Sequence, residues 1–165
     1  MEPLLREHLD ATFFAEYQGL RTDLMPILTD ADLAFRAGGS NPSLGELCLE
    51  IGEIEHAYVE SFTTFTTDFG WRHADPTIAG SIAALTTWFA ELDRELAAAL
   101  DDLADADIRE RRILRGDFDE DFFSPLVPIQ LDTYREALLI FCGKVSVVLR
   151  AMGRDLPGNW PDWIG

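Results

Sequence analysis

The sequence from 85 to 103 reads LTTWFAELDRELAAALDDL, with apolar residues that recur after four and then three positions. Because an α-helix has about 3.6 residues per turn, this spacing keeps the apolar side chains on one face. Such a face is the seam along which helices pack side by side. The pattern therefore predicts a long helix from Ile78 to Leu103 with one buried side. The residues of the seam are Leu85, Phe89, Leu92, Leu96, Ala99 and Leu103.

A second stretch with the same rhythm, residues 134–153, reads YREALLIFCGKVSVVLRAMG. This helix is expected to follow Pro125 and Pro128 and to stop at Gly153, with Pro157 beyond it. Because its opposite side is also apolar, the helix is predicted either to be the most buried one or to line a subunit interface. The seam consists of Tyr134, Leu138, Phe141, Val145, Val148 and Met152, and the opposite side consists of Ala137, Ile140, Val147 and Ala151.

Two earlier stretches also show helical spacing. The first runs from Pro3 to about Leu28, and Pro26 is expected to make its last turn irregular. The second is predicted from Leu44 to Thr66. It starts with a capping box, in which Ser43 caps the first turn and Glu46 reaches back to the amide of the cap.

Four long helices without a sustained alternating pattern predict an all-α protein, an antiparallel four-helix bundle that forms a single domain over 1–165. The stretch from Thr29 to Pro42 is rich in turn residues and is expected to be a loop. The tail LPGNWPDWIG is expected to be an extended cover, packed on the bundle through Trp160 and Trp163.

The composition limits the classes of function. The chain has 47% hydrophobic and 26% charged residues, which is typical of a folded globular protein. Thirty acidic and thirteen basic residues give a net charge of -17, which disfavours nucleic acid as a partner. The uncharged apolar runs are shorter than the roughly 18 to 20 residues of a membrane span. The start, MEPLLREHLD, does not read as a secretory signal, so the cytoplasm is the expected location. Cys48 and Cys142 lie in apolar helical patterns and are expected to be buried and unpaired.

Several short phrases resemble the DinB/YfiT-like proteins. The loop phrase D-x-D-L spans Asp30 to Leu33, and S-L-G-E-L spans Ser43 to Leu47. In the fourth helix Gly143 matches a family glycine, and the closing L-R-x-x-G spans Leu149 to Gly153. Lys144 stands where the family usually has glutamine. The resemblance covers nearly the whole chain and implies a four-helix bundle that is often a homodimer.

The resemblance also implies a divalent metal held by three histidines, and some family members are thiol-dependent transferases or isomerases. In this chain the three ligand positions correspond to Glu50, Ala137 and Phe141. One carboxylate does not supply the three ligands of an open zinc site. The expectation is therefore a degenerate site without metal; nickel or zinc would bind only if the site were rearranged.

The predicted pocket residues are Glu50, Tyr134, Ala137, Phe141 and Lys144. If Glu50 is buried, it needs a partner or must be protonated, and Tyr134 or Lys144 on the fourth helix is available as a partner. A solvated or satisfied carboxylate without chemistry is the other interpretation.

Two further groups of residues are candidate sites. The three histidines, His8, His56 and His73, lie in different segments, and surface or interface roles are expected for them rather than metal binding. The basic cluster Arg109–Arg115 suits an anionic ligand, but the acidic residues that follow favour internal pairing. Those residues are Asp117, Asp119, Glu120 and Asp121.

Three hypotheses for the function follow. The first is a non-catalytic bundle that dimerises and binds a small apolar ligand between its helices. The second is a metal-dependent transferase or hydrolase with a rearranged site that uses Glu50 with His56, Tyr134 or acidic residues from neighbouring loops. The third is an acidic protein-interaction module. The common hydrolase and nucleotide-binding motifs do not occur in the sequence.

Overall fold

The computed structural model describes residues 11–116, 124–158 and 160–164. Over these ranges the chain forms seven α-helices and two short 3-10 helices, Met25–Ile27 and Pro76–Gly80. The four long helices are α1 (Ala11–Leu24), α3 (Leu44–Thr64), α4 (Ile82–Asp101) and α6 (Val127–Ala151). The three short helices are α2 (Asp30–Leu33), α5 (Asp105–Glu110) and α7 (Trp160–Ile164). The predicted all-α class is confirmed.

The four long helices enclose one hydrophobic core. Helix α4 contacts α3 and α1, and α6 contacts the same two helices, so the four contacts form a closed ring. The seam predicted for α4 faces inward, since Leu85, Phe89, Leu92 and Leu96 are all buried.

Helix α3 begins where the capping box predicts. The Ser43 hydroxyl accepts a hydrogen bond from the amide of Glu46 at 3.2 Å, and the Glu46 carboxylate accepts one from the amide of Ser43 at 2.6 Å. The helix ends at Thr64, two residues before the predicted end, because Phe65 takes a left-handed conformation with φ of 59°. The next two residues, Thr66–Thr67, pair in parallel with Leu114–Arg115, a contact that the sequence pattern does not reveal.

Other boundaries also differ from the sequence prediction. Helix α4 starts at Ile82 rather than Ile78, because the preceding residues form a 3-10 helix and Ser81 caps α4. The expected loop after α1 contains the short helix α2, which Thr29 starts with its own capping box. Pro26 lies in a 3-10 turn, as its disruption of the first helix predicted.

Helix α6 ends at a glycine cap, and the tail follows it. Gly153 has φ of 72°, and the amide of Arg154 donates to the carbonyl of Leu149 at 2.9 Å, so the predicted glycine stop is confirmed. The prediction of an extended tail is wrong over Trp160–Ile164, which is helical. Trp160 is buried as expected, and its indole donates to the carbonyl of Leu20 at 2.9 Å. The side chain of Trp163 lies outside the described part of the chain.

The second apolar side of α6 is not covered by the rest of the fold. Ile140 is 60% exposed and Val147 is 61% exposed. The prediction that this helix is the most buried one is wrong, because α3 buries 12 of its 21 residues and α6 buries 11 of its 25. Its alternative, a subunit interface, remains a prediction.

The two cysteines lie in the core. Cys48 and Cys142 are buried and not bonded to each other, as predicted. Burial raises the pKa of each thiol to about 12, so both stay protonated at neutral pH. None of the helices within the described ranges is long and apolar enough to span a bilayer.

Candidate functional site

Four of the five predicted pocket residues line a surface groove between α3 and α6. The α3–α6 groove consists of three adjoining depressions with volumes of about 360, 120 and 450 Å³, and Glu50 borders all of them. Its walls also include Ala137, Phe141 and Lys144. Further apolar lining comes from Leu47, Ile51, Ile54, Tyr58, Phe69, Ile140, Val147 and Val148.

An ion pair crosses the middle of this groove. The Lys144 ammonium donates to both carboxylate oxygens of Glu50, at 3.2 and 3.3 Å. Both side chains are about half exposed, so the pair contributes only about 0–1 kcal/mol to stability. Glu50 is thus a partly solvated carboxylate with a surface partner, and it needs no buried polar pocket.

The depression of about 360 Å³ contains a second pair of charges, Glu53 and Arg72. The Glu53 carboxylate accepts a hydrogen bond from the amide of His73 at 3.0 Å and lies 3.5 Å from the guanidinium of Arg72. Each of the two cations in the groove, Lys144 and Arg72, therefore has its own carboxylate. The polar groups neutralise one another in pairs, and the remaining walls are mainly apolar.

The residues present do not fit the three-histidine metal site of the resembled family. Ala137 has no donor atom, and the Phe141 ring is only 4% exposed and packs in the core. Glu50 is then the single donor of the three, and it is paired with Lys144. Among the described residues, no group of three or more histidine, cysteine, aspartate or glutamate side chains is arranged to hold a metal ion.

Tyr134 lies away from the groove and does not contact Glu50 as one prediction proposed. It is fully buried, and its hydroxyl accepts a weak hydrogen bond from the amide of Gln18 at 3.5 Å. Burial raises the pKa of Tyr134 well above its ordinary value, so the phenol stays protonated.

Tyr134 belongs instead to a buried polar cluster that the sequence analysis missed. At its centre the guanidinium of Arg21, which is fully buried, donates to the carboxylate of Glu55, also fully buried. Arg21 also donates to Asp93 at 2.6 Å, and the Gln18 amide donates to Glu55 at 3.4 Å. The cluster joins α1 to α3 and α4 through charged groups, and it joins α1 to α6 through the hydrogen bond between Gln18 and Tyr134.

One sequence signal for this cluster exists in α3. Glu55 follows Ile51 by four residues and precedes Tyr58 by three, so it occupies a core position in an otherwise apolar seam. An acidic residue at such a position requires a buried partner. The sequence does not identify Arg21 as that partner, because 34 positions separate the two residues.

Two of the three histidines belong to one aromatic cluster with Trp71 and Trp88. The ring of His56 stacks on Trp71 with centroids 3.7 Å apart, and the ring of His73 lies 4.7 Å from that of Trp88. The backbone of Gly52 allows this packing, because an added Cβ would lie 2.3 Å from the Trp88 ring. His56 is thus held by aromatic stacking, and His8 lies outside the described residues.

Within the basic cluster, Arg111, Arg112 and Arg115 have internal partners. Arg111 lies 3.6 Å above the Phe65 ring, Arg112 donates to the carbonyl of Ser124, and Arg115 donates to Gln130 at 3.1 Å. The acidic residues expected to pair with this cluster, 117–121, lie outside the described ranges.

The three side chains considered for a rearranged catalytic site each have a separate partner. Glu50 pairs with Lys144, His56 stacks on Trp71, and Tyr134 is buried beside Gln18. No protein-family model matches the chain, and a search of curated proteins finds no match.

Proposed function

We propose that this protein is a DinB-like antiparallel four-helix bundle that lacks the family metal site, is not an enzyme and binds a small apolar ligand in the α3–α6 groove. The observation that carries the proposal is the replacement at the three ligand positions. Ala137 offers no donor, Phe141 fills core space, and Glu50 is bound to Lys144, yet an open groove remains beside them.

The dimensions and lining of the groove support ligand binding. Ligand sites in proteins have volumes of about 300 to 1,000 Å³ and mainly apolar walls with a few polar groups. The two wider depressions, of about 360 and 450 Å³, fall in this range. Lys144 and Glu50 stand between them and are the polar groups that would orient a ligand extending along the groove.

The wider proposal keeps three expectations from the sequence. The protein works as a homodimer, with the exposed apolar side of α6 as the interface. Its net charge of -17 argues against nucleic acid as a partner. The cytoplasm is its proposed location.

Fluorescence titration with an environment-sensitive apolar dye tests the ligand site. Ala137→Phe would fill the groove, because Ala137 lines two of the three depressions. We expect this variant to weaken dye binding about tenfold or more, since an apolar group of that size displaces most of the contact area. Ala90→Phe, at an exposed position of α4, is the matched control and should bind the dye like the parent protein. Equal binding by all three proteins would refute the groove as the ligand site.

Metal analysis tests the other part of the proposal. Protein purified without chelators should contain no stoichiometric nickel, zinc or iron. A tightly bound equivalent of any of these metals would refute the claim that the site is degenerate and would favour the metal-dependent enzyme.

A further inference from the structure

The exposed side of α6 has a symmetric pattern of side chains. Five residues recur after four and three positions and form what we call the outer ridge: Glu136, Ile140, Gly143, Val147 and Arg150. Because of this spacing they lie within one narrow arc of the helix surface. The two large members, Ile140 and Val147, are each about 60% exposed.

Gly143 is the small residue at the centre of the ridge. A Cβ added there would meet nothing within 4 Å, and its φ is not in the left-handed region, so the fold of one chain does not require glycine. Glycine in the middle of a helix lowers helix stability relative to alanine. Its useful property at this position is that it lets another backbone approach closely.

The charges at the two ends of the ridge are opposite. Glu136 lies seven residues before Gly143, and Arg150 lies seven residues after it. At 1.5 Å per residue, each charge is about 10 Å from the centre along the helix axis. Both side chains are exposed, and neither has an ion-pair partner among the described residues.

These features are self-complementary when a second ridge runs in the opposite direction. With the two Gly143 residues facing each other, Glu136 of each copy comes level with Arg150 of the other. Ile140, three residues before Gly143, comes within one residue, about 1.5 Å, of the level of Val147, four residues after it. A two-fold axis produces this match twice, which is the property of an isologous interface. A parallel arrangement would instead place each charge beside an identical one.

We propose that the outer ridge is the interface of a homodimer in which two α6 helices pack antiparallel about Gly143, with Glu136 of one copy paired with Arg150 of the other. This inference rests on the proposed function only for the claim that α6 is a subunit interface. The second copy also stands beside the α3–α6 groove, because Ile140 and Val147 form part of the groove wall.

Sedimentation velocity over about 1 to 100 µM protein tests the interface through charge exchange. The parent protein should sediment at twice the chain mass of 18.5 kDa. Glu136→Arg and Arg150→Glu should each weaken dimerisation about tenfold or more, because each places like charges together at both ends. The double variant E136R/R150E should restore the dimer. Glu91→Arg and Arg94→Glu, exposed on α4, are matched controls that should leave it unchanged.

A second variant tests the close approach at the centre. Gly143→Leu should abolish the dimer while the chain remains folded, since the position has open space in one copy. Gly19→Leu, at a helical glycine that also has open space, should fold and dimerise normally.

The outcomes separate the interface from the ligand site. A monomeric parent protein, unchanged dimerisation in the single variants, or a double variant that stays monomeric would each overturn the antiparallel ridge. Dye binding is measured on the same samples. Loss of the interface with intact dye binding therefore leaves the ligand site standing, and absence of dye binding in a normal dimer refutes only the ligand site.

Discussion

Removal of Glu55 should strongly destabilise the fold, because it takes away the buried carboxylate that pairs with the buried Arg21 guanidinium. Arg21 and Glu55 are both fully buried, whereas the second carboxylate, Asp93, is 32% exposed. Without Glu55 the guanidinium keeps Asp93, a weak bond to the Phe89 carbonyl at 3.5 Å and the face of the Phe89 ring. Breaking one side of a buried ion pair costs about 3–5 kcal/mol, because the remaining charge is left poorly compensated.

That loss is large compared with the 5–15 kcal/mol by which domains are usually stable. Glu55→Gln should lower the free energy of unfolding by about 3–5 kcal/mol, measured by urea denaturation followed by circular dichroism. The midpoint of thermal unfolding should fall by about 6–20 °C. Asp93→Asn should cost no more than about 1 kcal/mol, since the Asp93 carboxylate is partly hydrated in the folded state.

An apolar replacement of the pair is the decisive control. The double variant R21M/E55L removes both charges and should be much closer in stability to the parent protein than Glu55→Gln is, because no unpaired charge remains. A loss below about 1 kcal/mol for Glu55→Gln, or a double variant as unstable as the sum of its single variants, would refute the buried-pair argument.

Three further predictions concern the replaced site, the glycines and the thiols. The variant A137H/F141H should gain affinity for Ni²⁺ if α3 and α6 keep the family geometry around Glu50, and calorimetric titration measures this affinity. A folded variant that does not bind Ni²⁺ would contradict the resemblance. Gly52→Ala should lose about 1–3 kcal/mol of stability through overlap with Trp88, whereas Gly19→Ala should gain up to about 1 kcal/mol in the same denaturation assay. The thiols should react with a colorimetric thiol reagent only on unfolding, and rapid labelling of the native chain would contradict their burial. The free energy of unfolding should fall as the pH rises above the unfolded-state thiol pKa of about 8.5, because the folded-state pKa is about 12.

Much of the fold follows from signals that are local in the chain. The seam of α4, the capping box at Ser43 and the stop at Gly153 each involve residues within a few turns, so hydrogen bonding and periodicity reveal them directly. The errors are also local in origin. The 3-10 helix before α4 and the left-handed Phe65 shorten helices whose hydrophobic pattern continues beyond their ends.

The candidate site was only partly predictable. The sequence identified Glu50, Ala137, Phe141 and Lys144 through the resemblance, and the structure brings all four to one groove. It did not reveal that Lys144 would pair with Glu50 across 94 positions, or that Tyr134 would turn toward Gln18 instead. Which partner a polar group meets depends on how neighbouring helices are rotated and aligned, and single-helix periodicity does not specify that alignment.

The sequence by itself determined the helical class, the approximate positions of the long helices and the identities of Glu50, Ala137 and Phe141, because periodicity, caps and residue identity are properties of short segments. Only the tertiary structure decided that Arg21 and Glu55 are buried together, that the second apolar side of α6 is left open, and that a groove remains beside Phe141. These features arise from the packing of segments far apart in the chain, where charge compensation and surface exposure depend on which faces meet.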